Sequence, residues 1–103
     1  MNKGKLLKII DHYGLSAQLK YIHSEYFELD EAIMTIDKVE FSNKHIAEEL
    51  ADVMVMLKQI QYYFNIDDKT IEEIASEKID RQIDRIESEL ELQKRFQKRL
   101  KEK

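Results

Sequence analysis

The segment HIAEELADVMVMLKQI, residues 45–60, has the helical period, with apolar residues recurring every three or four positions. We predict a helix here from about Lys44 to Phe64. Further apolar residues such as Met54 and Val55 widen its stripe around most of the helix. A helix that is apolar nearly all round is buried on several sides, so in a chain of 103 residues we expect a subunit interface. The main stripe consists of Ile46, Leu50, Val53, Leu57, Ile60 and Phe64.

Two predicted helices precede this segment. The first runs from about Lys5 to Tyr13 and is ended by Gly14. The second opens near Ser16, which is the expected N-cap, and continues to about Lys38. Its apolar stripe comprises Ile22, Tyr26, Leu29, Ile33 and Ile36.

The connections to the last two helices are predicted from polar residues. Residues Val39–Lys44 are expected to form a loop, with Ser42 or Asn43 as the next cap. The turn NIDDKT then leads into a fourth helix that begins with Asp68 or Thr70 as its cap. Its stripe comprises Ile71, Ile74, Ala75, Ile79, Ile83, Ile86 and Leu90.

Composition supports one all-α, bundle-like domain over residues 1–103. The chain contains no proline and two glycines, so it has few of the turns that an all-β fold requires. It contains no cysteine and no apolar run long enough to cross a membrane, so we expect a cytoplasmic protein without a membrane partner. A monomer of this size has little core volume, which favours self-association.

The net charge of −4 is unevenly distributed. Residues 91–103 contain six basic and two acidic groups and form a basic C-terminal helical extension. The preceding 90 residues are strongly acidic, with 19 acidic and 11 basic groups. An acidic body argues against general nucleic-acid binding and suits a protein that concentrates divalent cations.

Two pairs of carboxylates have the same phase on facing helices. Counting about 100° per residue from Ile22, Glu25 and Glu28 fall near 300° and 240°. Counted in the same way from Ile46 on the third helix, the next pair falls at the same two angles. If the two helices pack as an antiparallel hairpin, the pairs converge at the edge of the core. The second pair is Glu49 and Asp52.

Four such carboxylates repel one another unless a cation or basic side chains neutralise them. Mg²⁺ prefers oxygen ligands, and carboxylates on facing helices are an established way to build a metal site in a bundle. We therefore expect a Mg²⁺ site, with Mn²⁺ as the alternative ion. An acidic rim paired with lysines is the other interpretation of the same pattern.

The fourth helix supplies positive charge on one flank. Counted from Ile79, Lys78, Arg81 and Arg85 fall between about 200° and 260°. A segregated basic strip of this kind can hold phosphate oxygens. An ordinary solvated strip, with i,i+4 pairs such as Glu77–Arg81, is equally compatible with the sequence.

The two acidic pairs resemble a family signature. Glu25-Tyr-Phe-Glu28, followed after 20 residues by Glu49-Leu-Ala-Asp52, resembles the E-x-x-E…E-x-x-D motif of the MazG-like all-α nucleoside triphosphate pyrophosphohydrolases. The similarity is to the short, phage-type members and covers roughly residues 10–90, with EELAD as its most specific part. Ser24 stands where many members have glutamate, and the tail from Glu91 has no counterpart. The similar segments are HYGLSAQLKYIHSEYFELDEAI, HIAEELADVMVMLKQI and SEKIDRQIDRI.

The resemblance implies an enzyme that hydrolyses a nucleoside or deoxynucleoside triphosphate to the monophosphate and pyrophosphate. It implies that the two acidic pairs hold Mg²⁺ and act in catalysis, and that Lys78 and Arg81 neutralise the phosphates. It also implies assembly as a homodimer or homotetramer. The catalytic and metal-binding residues would be Glu25, Glu28, Glu49 and Asp52.

Two other functions fit the same sequence. One is a non-enzymatic helical oligomer that acts as a partner-binding or regulatory module. It predicts no change in thermal stability with metal. The other is a small regulator that binds DNA through residues 91–103, and it predicts salt-sensitive binding that is lost when these residues are removed.

Overall fold

The computed structural model of the protein describes residues 1–35 and 43–102. These residues form four α-helices and no strand, which confirms the predicted all-α class. The helices are α1 (Lys3–Tyr13), α2 (Leu15–Met34), α3 (Asn43–Tyr63) and α4 (Asp68–Lys101).

Gly14 separates α1 from α2, as predicted. Its backbone N–H donates to the carbonyl of Ile10 at 2.7 Å, and its φ of 91° lies in the region that glycine adopts at little cost. Because the chain turns within this one residue, α2 starts at once at Leu15. The prediction of Ser16 as N-cap is therefore wrong, since Ser16 lies in the first turn and Gly14 occupies the cap position.

The α2 helix ends earlier than predicted. Its last residue is Met34, and the hydroxyl of Thr35 donates to the carbonyl of Glu31 at 2.7 Å. The predicted end at Lys38, most of the predicted loop and the proposed cap Ser42 lie outside the described residues. Asn43, the other proposed cap, is the first residue of α3.

The turn before α4 is capped one residue earlier than predicted. The side chain of Asp67 accepts a hydrogen bond from the backbone N–H of Thr70 at 2.8 Å. This spacing is typical of an N-cap, whose oxygen reaches the amide three residues later. The predictions of Asp68 and Thr70 as caps are therefore wrong, because both lie inside the helix.

Contacts divide the chain into two compact units, residues 1–66 and 67–103. In the first unit, α3 packs against both α2 and α1, and α1 also contacts α2. The prediction of one domain over residues 1–103 stays a prediction. The buried apolar residues of the first unit are Leu6, Ile10, Ile22, Ala32, Val53, Met56 and Tyr62.

The packed faces of α2 and α3 are rotated away from the predicted stripes. On α3, Met56 is buried, whereas the predicted stripe residues Leu50 and Leu57 are 45% and 44% exposed. On α2, Glu25 is buried and Tyr26 is exposed. Counted at about 100° per residue, both packed faces are turned toward the acidic flank, which carries that flank into the interface between the helices.

The second unit contains α4, a continuous helix of 34 residues that extends through the basic tail to Lys101. None of its residues is buried. The predicted stripe is present but uncovered, with Ile79 60% exposed and Ile83 49% exposed. Within the described part of the chain, no helix has the length and apolarity needed to cross a bilayer.

Candidate metal centre

The predicted antiparallel arrangement of α2 and α3 is present. Gln18, near the start of α2, donates from Nε2 to Oε1 of Gln59, near the end of α3, at 2.8 Å. Two turns or more further along α2, Glu25 and Glu28 meet residues of the first half of α3. Chain number therefore rises along one helix as it falls along the other.

This packing brings the four predicted carboxylates together. One oxygen from each lies within 4.8 Å of one oxygen from every other. Each helix contributes two residues three positions apart, which places both on one side of that helix. We call this group the carboxylate cluster, and it comprises Glu25, Glu28, Glu49 and Asp52.

The cluster extends from the protein interior to solvent. Glu25 is 5% exposed and Glu49 is half-buried, while Glu28 and Asp52 are exposed. The two less exposed residues each have a buried oxygen without a hydrogen-bond partner among the described residues, namely Oε2 in both cases. A buried carboxylate oxygen that lacks a partner is costly, so a cation at this position would satisfy a real deficit.

Within residues 1–35 and 43–102, no lysine or arginine lies within ion-pair distance of the four carboxylates of the cluster. Nε2 of His45 lies 3.9 Å from Oε1 of Glu49, and this contact carries charge only when the imidazole is protonated. The lysine-paired acidic rim that the sequence allowed is therefore absent from this part of the chain.

The surroundings of Glu25 change the pKa of its side chain. Burial raises the pKa of its carboxyl group, and the nearby charges of Glu28 and Asp52 raise it further, while a hydrogen bond with Tyr21 acts in the opposite direction. The pKa of the Tyr21 hydroxyl is raised in turn, first by that hydrogen bond and then by the charge of Glu25.

A groove of about 300 Å³ opens onto the cluster. Glu25, Glu28 and Asp52 line its polar side, and Val55 and Met56 line its apolar side. The remaining wall is the half-exposed ring of Tyr21. The groove therefore presents both carboxylates and an apolar surface to solvent.

The predicted phosphate-binding residues lie in the other unit. Lys78, Arg81 and Arg85 share one face of α4, as their phase predicted, and they line a shallow groove together with Gln82. Glu77 and Arg81 do not form the i,i+4 ion pair that the alternative interpretation allowed.

Sequence reasoning assigned no role to the polar residues that extend the site. Gln18 and Gln59 are buried and joined by a hydrogen bond, and of the two only Gln18 lies in a position that the family resemblance marks, ahead of the first acidic pair. Their signal is the spacing: each lies seven residues, or two helical turns, from a carboxylate of the cluster. Tyr21 has a similar relation, since it lies one turn before Glu25.

A scan against protein-family models, a search of curated proteins and a search of solved structures each found no match to this chain. The donor set of the carboxylate cluster consists of carboxylate oxygens alone, two of which are buried without a hydrogen-bond partner among the described residues. Such a set fits a hard divalent cation such as Mg²⁺, which takes oxygen ligands and retains waters.

Proposed function

We propose that this protein is a Mg²⁺-dependent pyrophosphohydrolase of nucleoside or deoxynucleoside triphosphates. The observation that carries the proposal is the convergence of four carboxylates within 4.8 Å, with buried oxygens that lack partners. The resemblance of the E-x-x-E and E-x-x-D segments to MazG-like enzymes supplies the reaction class.

The cluster serves as the metal ligand set in this proposal. Mg²⁺, or Mn²⁺ in its place, supplies charge neutralisation for phosphate oxygens and lowers the pKa of a bound water when it occupies the cluster. The chain's contribution is to hold four carboxylates together on two packed helices.

The reaction is a hydrolysis at the α-phosphorus. A water oxygen forms a bond to the α-phosphorus. At the same time, the bond breaks between the α-phosphorus and the oxygen that bridges it to the β-phosphate. Pyrophosphate leaves with the bond electrons, the nucleoside monophosphate remains, and a proton from the water is released. Positioning and charge neutralisation are what such a displacement chiefly requires.

Two features of α4 belong to the same proposal. Lys78 and Arg81 bind phosphate oxygens of the substrate, since ammonium and guanidinium groups are suited to this role. A second copy of the chain covers the exposed apolar stripes, giving a homodimer or homotetramer. Uncovered isoleucines along 34 helical residues favour such association, and sedimentation analysis that finds only monomer at high concentration would contradict it.

The proposal is tested by a pair of variants on one helix. Glu49→Gln removes a carboxylate of the cluster, and Glu48→Gln removes an exposed neighbouring charge that lies outside it. With a panel of NTPs and dNTPs plus Mg²⁺, we expect Glu49→Gln to lower kcat by about 100-fold or more, since it removes one of the four carboxylates that hold Mg²⁺ in this proposal. Glu48→Gln should retain wild-type activity.

Product analysis by ion-exchange chromatography provides the decisive readout. Wild-type protein should release monophosphate and pyrophosphate in equal amounts, and EDTA should abolish the reaction. Failure to release either product from any substrate would overturn the proposal, as would full activity of Glu49→Gln.

The exposed α4 stripe also favours the alternative of a non-enzymatic helical module that binds a partner. The two functions differ in their response to ligand. The enzyme is stabilised by Mg²⁺ with nucleotide, because a ligand of the folded state raises the free energy of unfolding by mass action. The module has an unchanged Tm under the same conditions.

A further inference from the structure

A second groove continues from the one at the carboxylate cluster. It has a volume of about 480 Å³ and is formed by α1, α2 and α3 of the first unit. Both grooves share Tyr21, Val55 and Met56 as lining residues, so a ligand in one can extend into the other. We call this second region the apolar groove, since Ile9, Val55 and Met56 provide its walls.

Two buried amides line the apolar groove. Gln59 is 1% exposed and Gln18 is 7% exposed, and Gln18 Nε2 donates to Gln59 Oε1 at 2.8 Å. This bond fixes the orientation of the Gln59 amide. Its Nε2 then has only the thioether of Met56 as an acceptor among the described residues, at 3.7 Å. A thioether is a weak acceptor, so a buried N–H donor remains available to a ligand.

Two aromatic rings lie at the solvent side of the same groove. Tyr13 is 64% exposed and Tyr21 is 55% exposed, and both line it. Exposed rings beside an apolar wall provide the planar surfaces on which a heteroaromatic base stacks.

The distance between the amides and the carboxylates matches a nucleotide. Gln18 and Glu25 are seven residues apart on α2, which corresponds to about 10 Å along the helix. Gln59 and Asp52 have the same separation on α3. A ribose with its 5′-phosphate spans a separation of this order between base and α-phosphate.

We propose that the apolar groove is the base-binding subsite for a nucleotide whose phosphates lie at the carboxylate cluster. Gln59 Nε2 donates to a carbonyl oxygen or ring nitrogen of the base, Met56 and Val55 contact its face, and the Tyr13 ring stacks on it. This inference rests on the proposed function for the position of the phosphates.

The subsite is tested by binding, without reference to hydrolysis. The side-chain amide resonances of Gln59 and Gln18 are followed by ¹H–¹⁵N NMR of the full chain with Mg²⁺, during titration with UMP, CMP, GMP and AMP. Ribose 5-phosphate, which has the sugar and phosphate but no base, is the control. At least one nucleotide should shift the Gln59 amide, and ribose 5-phosphate should not.

Two variants measure what the groove contributes. Gln59→Met should weaken binding of the shifting nucleotide about tenfold, the cost of one hydrogen bond to a buried donor. Gln61→Met is the matched control, since Gln61 is a buried glutamine on the same helix that does not line the groove. Tyr13→Ala should also weaken binding about tenfold and, being exposed, keeps the test valid if Gln59→Met fails to fold.

If no monophosphate shifts the amides, or if Gln59→Met and Tyr13→Ala both bind as the wild type does, the subsite proposal is overturned even where hydrolysis occurs. If the amides shift but no triphosphate is cleaved, the subsite stands and the proposed reaction fails.

Discussion

Between α2 and α3, Glu25 and Glu49 each have a carboxylate oxygen that water does not reach, whereas on α4 each carboxylate and each isoleucine is exposed. The two regions have similar residue types, and burial gives them different physical consequences. Electrostatic interactions are strong where water is excluded and weak where it screens them. Interacting buried carboxylates are therefore a feature of the first unit, and exposed, screened charges are a feature of the second.

The largest predicted difference between the regions concerns packing. Ile10 is fully buried, so Ile10→Ala should lower the free energy of unfolding by about 3 kcal/mol. Ile79 is 60% exposed, and Ile79→Ala should change it by less than about 0.5 kcal/mol in dilute solution. Urea unfolding followed by circular dichroism measures both. If both substitutions lowered the free energy of unfolding equally at low protein concentration, the distinction between a packed first unit and an exposed α4 would be contradicted.

A second prediction separates phosphate binding from metal binding. Replacing both Lys78 and Arg81 by glutamine should raise KM for the triphosphate about tenfold, because charge-assisted hydrogen bonds to phosphate are lost. The increase in Tm caused by Mg²⁺ alone should stay unchanged. The control replaces Lys98 and Arg99, which removes the same charge from α4. An equal rise in KM in the control would show that only net charge matters.

A third prediction uses the raised pKa of Glu25. The pKa of Glu25 is higher in the folded protein than in the unfolded chain. The stabilisation that comes from protonated Glu25 is therefore complete below the unfolded-state pKa and is lost as pH rises through the folded-state pKa. At pH 7 without metal, Glu25→Gln should therefore stabilise the protein, on the order of 1 kcal/mol.

Thermal denaturation from pH 4 to pH 8 tests this sign. The metal-free wild type should lose stability relative to Glu25→Gln as pH rises, while added Mg²⁺ should stabilise the wild type more than the variant. Glu31→Gln, at an exposed position on the same helix, should show neither effect. A variant less stable than the wild type at pH 7 without metal would contradict the assignment.

The smallest effect is expected for an ion pair of α4. Nε of Arg95 lies 3.5 Å from Oε1 of Glu91, and both side chains are mostly exposed. Arg95→Gln should change the free energy of unfolding by about 0.3 kcal/mol, and 0.5 M salt should reduce that difference. A loss of more than about 1 kcal/mol in the free energy of unfolding would show that this ion pair is buried.

The candidate site was partly predictable because helical phase is a local property. Glu25 and Glu28 share one side of α2 wherever that helix packs, and the same holds for the pair on α3. The orientation of that side was not predictable. The apolar stripes indicated Leu50 and Leu57 as buried, yet α3 packs against both α1 and α2, and this choice buries Met56 and Gln59 instead.

The sequence by itself determined four helices, the turn at Gly14, and which carboxylates face the same way. These features follow from backbone geometry and from residues no more than a few positions apart. The tertiary structure alone decided that the acidic flank lies inside the α2–α3 interface, beside a buried pair of glutamines. That outcome depends on how three helices rotate to share one small core, which is a balance of contacts between residues far apart in the chain.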